Sequence, residues 1–190
     1  MDWQLLVGGA QEGLVLTFGS SAQCTALQKI LLGPQRSMDT TLVSGDSDGF
    51  TLTPRIADWV IFCAAQRIRP AMLRRAMAAL KPGGHVAIGS QNRWGLSQPA
   101  AFRWQQLLLE RAGADRVRSF AILPHLEAPR AIVPVDPPAP ATVQKFAIEQ
   151  AWRRISPISA MARRALGVLV DAHLMRYLYP SYLVVGRKPC

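Results

Sequence analysis

The chain has 190 residues, 49% of them hydrophobic, and a formal net charge of +10. That length and apolar content suffice for one domain with a real core and exclude a disordered polymer. The longest apolar runs, such as Trp59 to Ala65, are far too short to span a bilayer. Cys24, Cys63 and Cys190, with His85, His125 and His173, are too scattered to form a metal-ligand pair.

The first residues, from Met1 and Asp2 onward, carry no basic region, so no secretory signal is expected, and the odd, widely spaced cysteines fit a reducing cytoplasm. Basic residues are spread along the chain, from Arg67 and Arg69 through Arg118 and again at Arg153, Arg154, Arg163 and Arg164. Such a surface favours anionic partners: nucleic acid, anionic glycans, acidic lipid headgroups or an acidic protein subunit. A simply solvated basic face is the competing reading.

Taken in order, Leu14 to Phe18 reads as a first strand. Gly19-Ser20-Ser21 turns it into a helix near Gln23 to Leu32, with Ser20 or Ser21 as N-cap and Gly33-Pro34 as the stop. Thr40 to Ser44 is a short strand, followed by a loop holding Asp46 and Asp48. Trp59 to Cys63 is a buried strand. Pro70 starts a helix, where its missing amide costs nothing. Met72, Ala76, Met77 and Leu80 recur at helical spacing and face a sheet, while Arg74, Arg75 and Lys81 face water. Pro82-Gly83-Gly84 ends that helix, and His85 to Gly89 is the next strand. Ala100 to Ala112 forms a helix anchored by Phe102, Leu107, Leu108 and Leu109 and capped by Gly113.

Val117 to Leu123 is a further strand, and Pro124 to Arg130 a loop. Four prolines between Pro134 and Pro140 mark an extended surface connector. Thr142 to Arg154 and Ala160 to Tyr177 read as helices broken at Ser156-Pro157, and Tyr182 to Gly186 as a terminal strand. Strands alternating with helices predict an α/β fold with a doubly wound, mostly parallel sheet and a C-terminal helical cap. The expected organisation is one domain: a core over residues 1–124, a loop and helical cap over 125–180, and a terminal strand over 181–190.

Four segments carry candidate chemistry. Val15 to Ala22 places small residues and free amides at a strand-to-helix turn, where a nucleotide-like ligand is bound closely in open α/β folds. Asp46 follows the second strand, where a carboxylate accepts hydrogen bonds from ribose hydroxyls; turn formation is the alternative role for Asp46 and Asp48. Gln91 to Leu96 follows a strand at the ligand-binding edge: Asn92 donates and accepts hydrogen bonds, Arg93 clamps an anion and Trp94 offers a stacking face. His125, with Glu127 to orient it, sits after the next strand and is a candidate general base, since histidine as a residue type exchanges protons near neutral pH. The paired basic stretches around Trp152 and Met161 suit either a partner- or membrane-facing helix pair or a lid with a solvated basic side.

The segment Ala57 to Leu96, with its strand, helix, Leu80-Lys81-Pro82-Gly83-Gly84 turn and second strand, resembles the second half of the core of class I S-adenosylmethionine-dependent methyltransferases. Val15-Leu16-Thr17-Phe18-Gly19-Ser20-Ser21 is similar to the family's glycine motif, with Thr17 where an acid is common and Ser21 in place of the second glycine. An Asn-Arg-x-Gly-Leu segment like Asn92 to Leu96 occurs in relatives associated with bacterial glycan and natural-product clusters. The resemblance implies a Rossmann-like sheet with an antiparallel last strand inserted beside Val117 to Leu123. It implies S-adenosylmethionine as cofactor, held by Gly19, Ser20, Ser21, Asp46, Cys63 and Ala64. It implies a small-molecule, glycan or peptide acceptor at Asn92, Arg93, Trp94 and His125. Only about a dozen residues lie between Ser44 and Trp59, where the family fits another helix and strand; either both are missing or Gly49 to Thr53 is a minimal strand. The alternative is a relative that has lost its cofactor and serves as a subunit binding a protein partner or a second copy. Nucleic-acid binding is a further reading that rests on charge.

Overall fold

The computed structural model describes residues 14–18, 25, 27–28, 31, 39–42, 53–63, 68–91, 101–126, 128–152, 160–172, 175 and 178–190. Among these, seven strands form one sheet. They are β1 (Leu14–Phe18), β2 (Asp39–Leu42), β3 (Ala57–Phe62), β4 (Leu80–Gln91), β5 (Asp115–His125), β6 (Ala128–Asp136) and β7 (Ser181–Arg187). Four helices follow the chain as α1 (Pro70–Ala79), α2 (Ala101–Arg111), α3 (Ala141–Trp152) and α4 (Ala160–Asp171). The sheet order is β2-β1-β3-β4-β7-β5-β6. β1 pairs in parallel with β2 and β3, and β3 with β4. β7 is inserted antiparallel between β4 and β5, so β5 runs with the first four strands, and β6 turns back along the outer edge. The sheet is therefore mixed, with β1 to β5 pointing one way and β6 and β7 the other.

Burial on both faces explains the near-continuous apolar strands. One face carries Leu16, Phe18, Val60, Phe62, Val86, Ile88, Ala121, Leu123 and Val184, packed under α1 to α4. The other carries Val15, Trp59, Ile61, Ala87, Ile122 and Leu183, together with Leu27 and Leu31 of the helical stretch after β1. The helix α1 obeys its sequence signals: Pro70 sits at its start, and Met72, Leu73, Ala76 and Met77 are its buried stripe. A buried chain of hydrogen bonds ties the approach to β7 onto α3: the Tyr179 hydroxyl donates to Gln144 Oε1 at 3.0 Å, and Gln144 Nε2 donates to the Ala139 carbonyl at 2.6 Å. Burial pushes the Tyr179 phenol well above its ordinary pKa, so it stays a donor.

Several expectations are corrected. Leu80 begins β4 rather than ending the helix, and Lys81 to Gly84 form the irregular first part of that strand, where the register slips between Ala57 and Trp59. Glycine is required there: Gly83 has φ +79°, and a Cβ on Gly84 would lie 3.0 Å from the Lys81 carbonyl and 3.1 Å from that of Asp58. Ala128 to Asp136 is a strand, not a loop and connector. Its prolines are tolerated because β6 is an edge with one partner, β5. α4 stops at Asp171 instead of continuing to Tyr177. Leu107 is 39% exposed and is not an anchor. The stretch from Ser44 to Leu52, with its missing or minimal strand, lies outside the described residues; Thr53 is irregular.

Candidate functional site

In an open α/β sheet, ligands collect where the parallel strands end and the chain turns away. Here that edge is formed by the ends of β1, β3 and β4, the start of β7 and the end of β5. The Cys63 amide, one residue past β3, donates to the carbonyl of Phe18, the last residue of β1, at 2.8 Å and holds the two exits side by side. Phe18 and Phe62 stack with ring centroids 4.9 Å apart on the helix-covered face and fix that junction. Cys63 is 1% exposed and outside any disulfide.

Close packing seats the helical stretch that follows β1. An added Cβ on Gly89 of β4 would come 2.6 Å from Leu27 Cδ1, so this stretch rests on β4 with no room for a side chain between them. The glycine thus lets Leu27 rest directly on β4, the kind of close helix–strand packing for which nucleotide-binding α/β folds use glycine.

Two buried hydroxyls on this half of the sheet have no hydrogen-bond partner among the described residues: Thr17 Oγ1 and Ser181 Oγ. Thr17 is fully buried between Leu42 of β2 and Ile61 of β3 in the ladder; Ser181 is 1% exposed between Gln91 of β4 and Ile122 of β5. An unpaired buried hydroxyl costs about 1–3 kcal/mol, so such groups call for a partner. Beside them, the Ser90 hydroxyl donates to Gln105 Oε1 of α2 at 3.3 Å, which ties the end of β4 to the helix that follows.

Of the sequence-derived site residues, the structure places Cys63 at the β3 exit. It places the backbone of His125 at the end of β5, in a tight hairpin opposite Ala128. β7 separates β5 from β4, so His125 is about 10 Å along the edge from the β4 exit, at two strand spacings. The His125 side chain, Gly19, Ser20, Ser21, Asp46, Asp48, Ala64, Asn92, Arg93, Trp94 and Glu127 lie outside what the structure describes. Sequence reasoning missed Ser181. Its only local signal is Pro180-Ser181 ahead of an apolar strand, and its place at the edge follows from the insertion of β7. No group of three metal-ligating side chains occurs among the described residues. No described helix is long and apolar enough to cross a membrane.

No protein-family model matches the chain, and no curated protein does. Solved structures do. A phosphoethanolamine N-methyltransferase of Haemonchus contortus, determined with phosphomonomethylethanolamine and S-adenosylhomocysteine, aligns with 97% of this chain at 15% identity and a TM-score of 0.52. The alignment covers 51% of that enzyme, so this chain spans about half its length. A chain from the Haloferax volcanii complex of the Trm112 methyltransferase activator with a methyltransferase aligns over 99% of this chain and 88% of its own, at 13% identity and TM-score 0.53. An S-adenosylmethionine-dependent methyltransferase of Archaeoglobus fulgidus aligns over 98% and 95%, at 14% identity and TM-score 0.51. The fold is that of the class I S-adenosylmethionine-dependent methyltransferases, and at these identities the likeness establishes the fold alone.

Proposed function

We propose that the chain binds S-adenosylmethionine at the carboxyl edge of β1, β3 and β4 and methylates a small-molecule, glycan or peptide acceptor of a biosynthetic pathway in the cytoplasm. The observation that carries this reading is the joined exit of β1 and β3, with the buried, unpartnered Thr17 hydroxyl one residue before it. In this reading Gly19, Ser20 and Ser21 face the amino-acid end of the cofactor, Asp46 its ribose, and Cys63 and Ala64 its methionine side. The acceptor enters past Asn92, Arg93, Trp94 and His125. Bound there, the cofactor supplies a methyl group on a sulfonium. Transfer from such a donor demands alignment and exclusion of water more than an acid–base triad.

A second reading, a relative without catalysis that binds a protein partner, is favoured by Thr17 itself, which stands where the family carries an acid. The Haloferax complex gives an example of this fold seated on a protein activator.

Calorimetric titration with S-adenosylmethionine and S-adenosylhomocysteine separates the two. Micromolar binding, abolished by Gly19→Val, is expected. Thr17→Val should lower affinity about tenfold, since one hydrogen bond is worth about 1 kcal/mol or somewhat more, while leaving the fold as stable as before or more so. No binding at millimolar ligand would sink the enzyme reading for the isolated chain and turn the search to a completing partner.

A further inference from the structure

The opposite, amino-terminal edge of the sheet gathers cations from four adjacent strands. Arg55 precedes β3, Lys81 lies at the start of β4, Arg116 and Arg118 at the start of β5, and Arg187 and Lys188 at the end of the antiparallel β7. The same segments contribute two carboxylates, Asp58 and Asp115. Asp58 is engaged, since its Oδ2 accepts from Lys81 Nζ at 2.8 Å and from the Leu14 amide at 3.0 Å. Lys188 Nζ caps the end of α1 by donating to the Leu80 carbonyl at 2.7 Å, and Arg187 Nε donates to the Gly83 carbonyl at 3.3 Å. Among the described residues Arg55, Arg116 and Arg118 are exposed and have no salt bridge.

Folding has crowded like charges here. Burial, with Arg55 nearby, pushes the Lys188 ammonium below the ordinary lysine pKa. The two non-glycine residues with left-handed backbone among the described ones are both arginines of this edge, Arg55 at φ +57° and Arg116 at φ +48°. Four strands in a row span about 14 Å at roughly 4.8 Å per step. The cations therefore form a line rather than a pocket.

We propose that this edge binds the phosphate backbone of a nucleic acid, with Arg55, Arg116 and Arg118 as the direct contacts and Lys81, Arg187 and Lys188 supplying the surrounding positive field. Arginine forks match phosphate oxygens two at a time. A linear polyanion, unlike a single small anion, engages all four strand ends at once. Among the described residues the large exposed apolar side chains are Trp104, Leu107, Val143, Phe146, Met161 and Val168, all on α2, α3 and α4. The described residues of the edge thus offer no apolar anchors of the kind a protein interface or a membrane surface requires, whereas backbone binding needs none. Because the edge lies across the sheet from the proposed cofactor site, it holds the nucleic acid as a tether and not as the methyl acceptor.

The test is fluorescence anisotropy of the full chain with labelled single-stranded oligonucleotides from 50 to 200 mM salt. Binding near micromolar at low salt is expected. The triple variant Arg55→Asn, Arg116→Asn, Arg118→Gln uses asparagine where left-handed backbone must be kept. It should weaken binding at least tenfold and reduce the salt slope by about 2, at roughly 0.7 per lost contact. A control of equal charge, Arg74→Gln, Arg103→Gln, Arg164→Gln, should change affinity less than threefold. Should the triple variant not fold by circular dichroism, Arg118→Gln alone should reduce the slope by about 0.7. Absence of binding at 50 mM salt would overturn the proposal. So would equal weakening by the control, or flotation with phosphatidylserine vesicles without oligonucleotide binding.

Discussion

Gly89→Ala probes the contact that seats the helical stretch under the proposed cofactor turn. The new methyl would lie 2.6 Å from Leu27 Cδ1, 3.2 Å from Leu27 Cδ2 and 3.3 Å from Leu126 Cδ2. Leu27 and Leu126 are both fully buried, so neither can swing into solvent. Overpacking of this kind costs about 1–3 kcal/mol, and loss of glycine's freedom in the unfolded chain returns about 0.4–1 kcal/mol. A net loss of up to about 2.5 kcal/mol is expected, read as a lower urea midpoint with an unchanged slope. Leu27→Ala alone should cost about 2–5 kcal/mol through the cavity it leaves. In the double variant the methyl introduced by Gly89→Ala occupies part of that cavity and the clash disappears. The double should therefore cost less than the sum of the singles by at least about 1 kcal/mol. Additivity within about 0.5 kcal/mol would show that the two groups do not touch and would refute the seating argument.

Two further outcomes follow from charges away from the carboxyl edge. Asp58→Ala leaves the partly buried Leu14 amide without its acceptor and should cost about 1–3 kcal/mol. Lys81→Ala removes only an ion pair whose lysine side chain is 46% exposed, and should cost less than about 1 kcal/mol; equal losses in urea melts would assign the effect to the ion pair. His85 is stacked on the buried Trp59, and burial, then Arg187, holds its pKa below the ordinary value of 6.5. Between the folded and unfolded pKa values the unfolded chain binds more protons. His85 therefore destabilises the fold as pH falls below about 6.5, until the folded pKa is passed. His85→Gln should flatten the decline of the urea midpoint between pH 7 and 5, and an unchanged decline would remove His85 as its source.

Local chemistry made the βαβ unit from Ala57 to Gln91 legible. Pro70 can only begin a helix cheaply, and the stripe of Met72, Ala76 and Met77 has one period and one use. What stayed hidden depends on pairing between distant segments. β6 carries Pro129, which read as part of a loop, and Pro134, which read as the start of an extended connector; the extended backbone at Pro134 is right, but the ladder to β5 is set by an edge position that composition does not encode. The irregular start of β4 belongs to the strand because β7, about a hundred residues later, bonds to it: the Lys188 amide donates to the Gly84 carbonyl at 2.8 Å. At the site, Thr17 stood out by its place in the glycine motif. Ser181 did not, since nothing in Pro180-Ser181-Tyr182 says that this strand will lie between Gln91 and Ile122.

β7 also settles an electrostatic conflict between the two proposals. A sulfonium cofactor is a cation, and a chain of charge +10 would tend to repel it. The strand is 7 residues long, with Ser181 at the carboxyl edge and Arg187 at the other. At about 3.3 Å per residue its ends lie about 20 Å apart, more than two screening lengths at physiological salt, where each is about 8 Å. Over that distance the field of the cationic edge on an exposed group has fallen to about a tenth or less of its unscreened value. The arginine line can therefore hold a polyanion without disfavouring a positive ligand at the exits of β1 and β3. The same cations placed around Phe18 and Cys63 would oppose that ligand directly, and the described residues there are apolar or neutral.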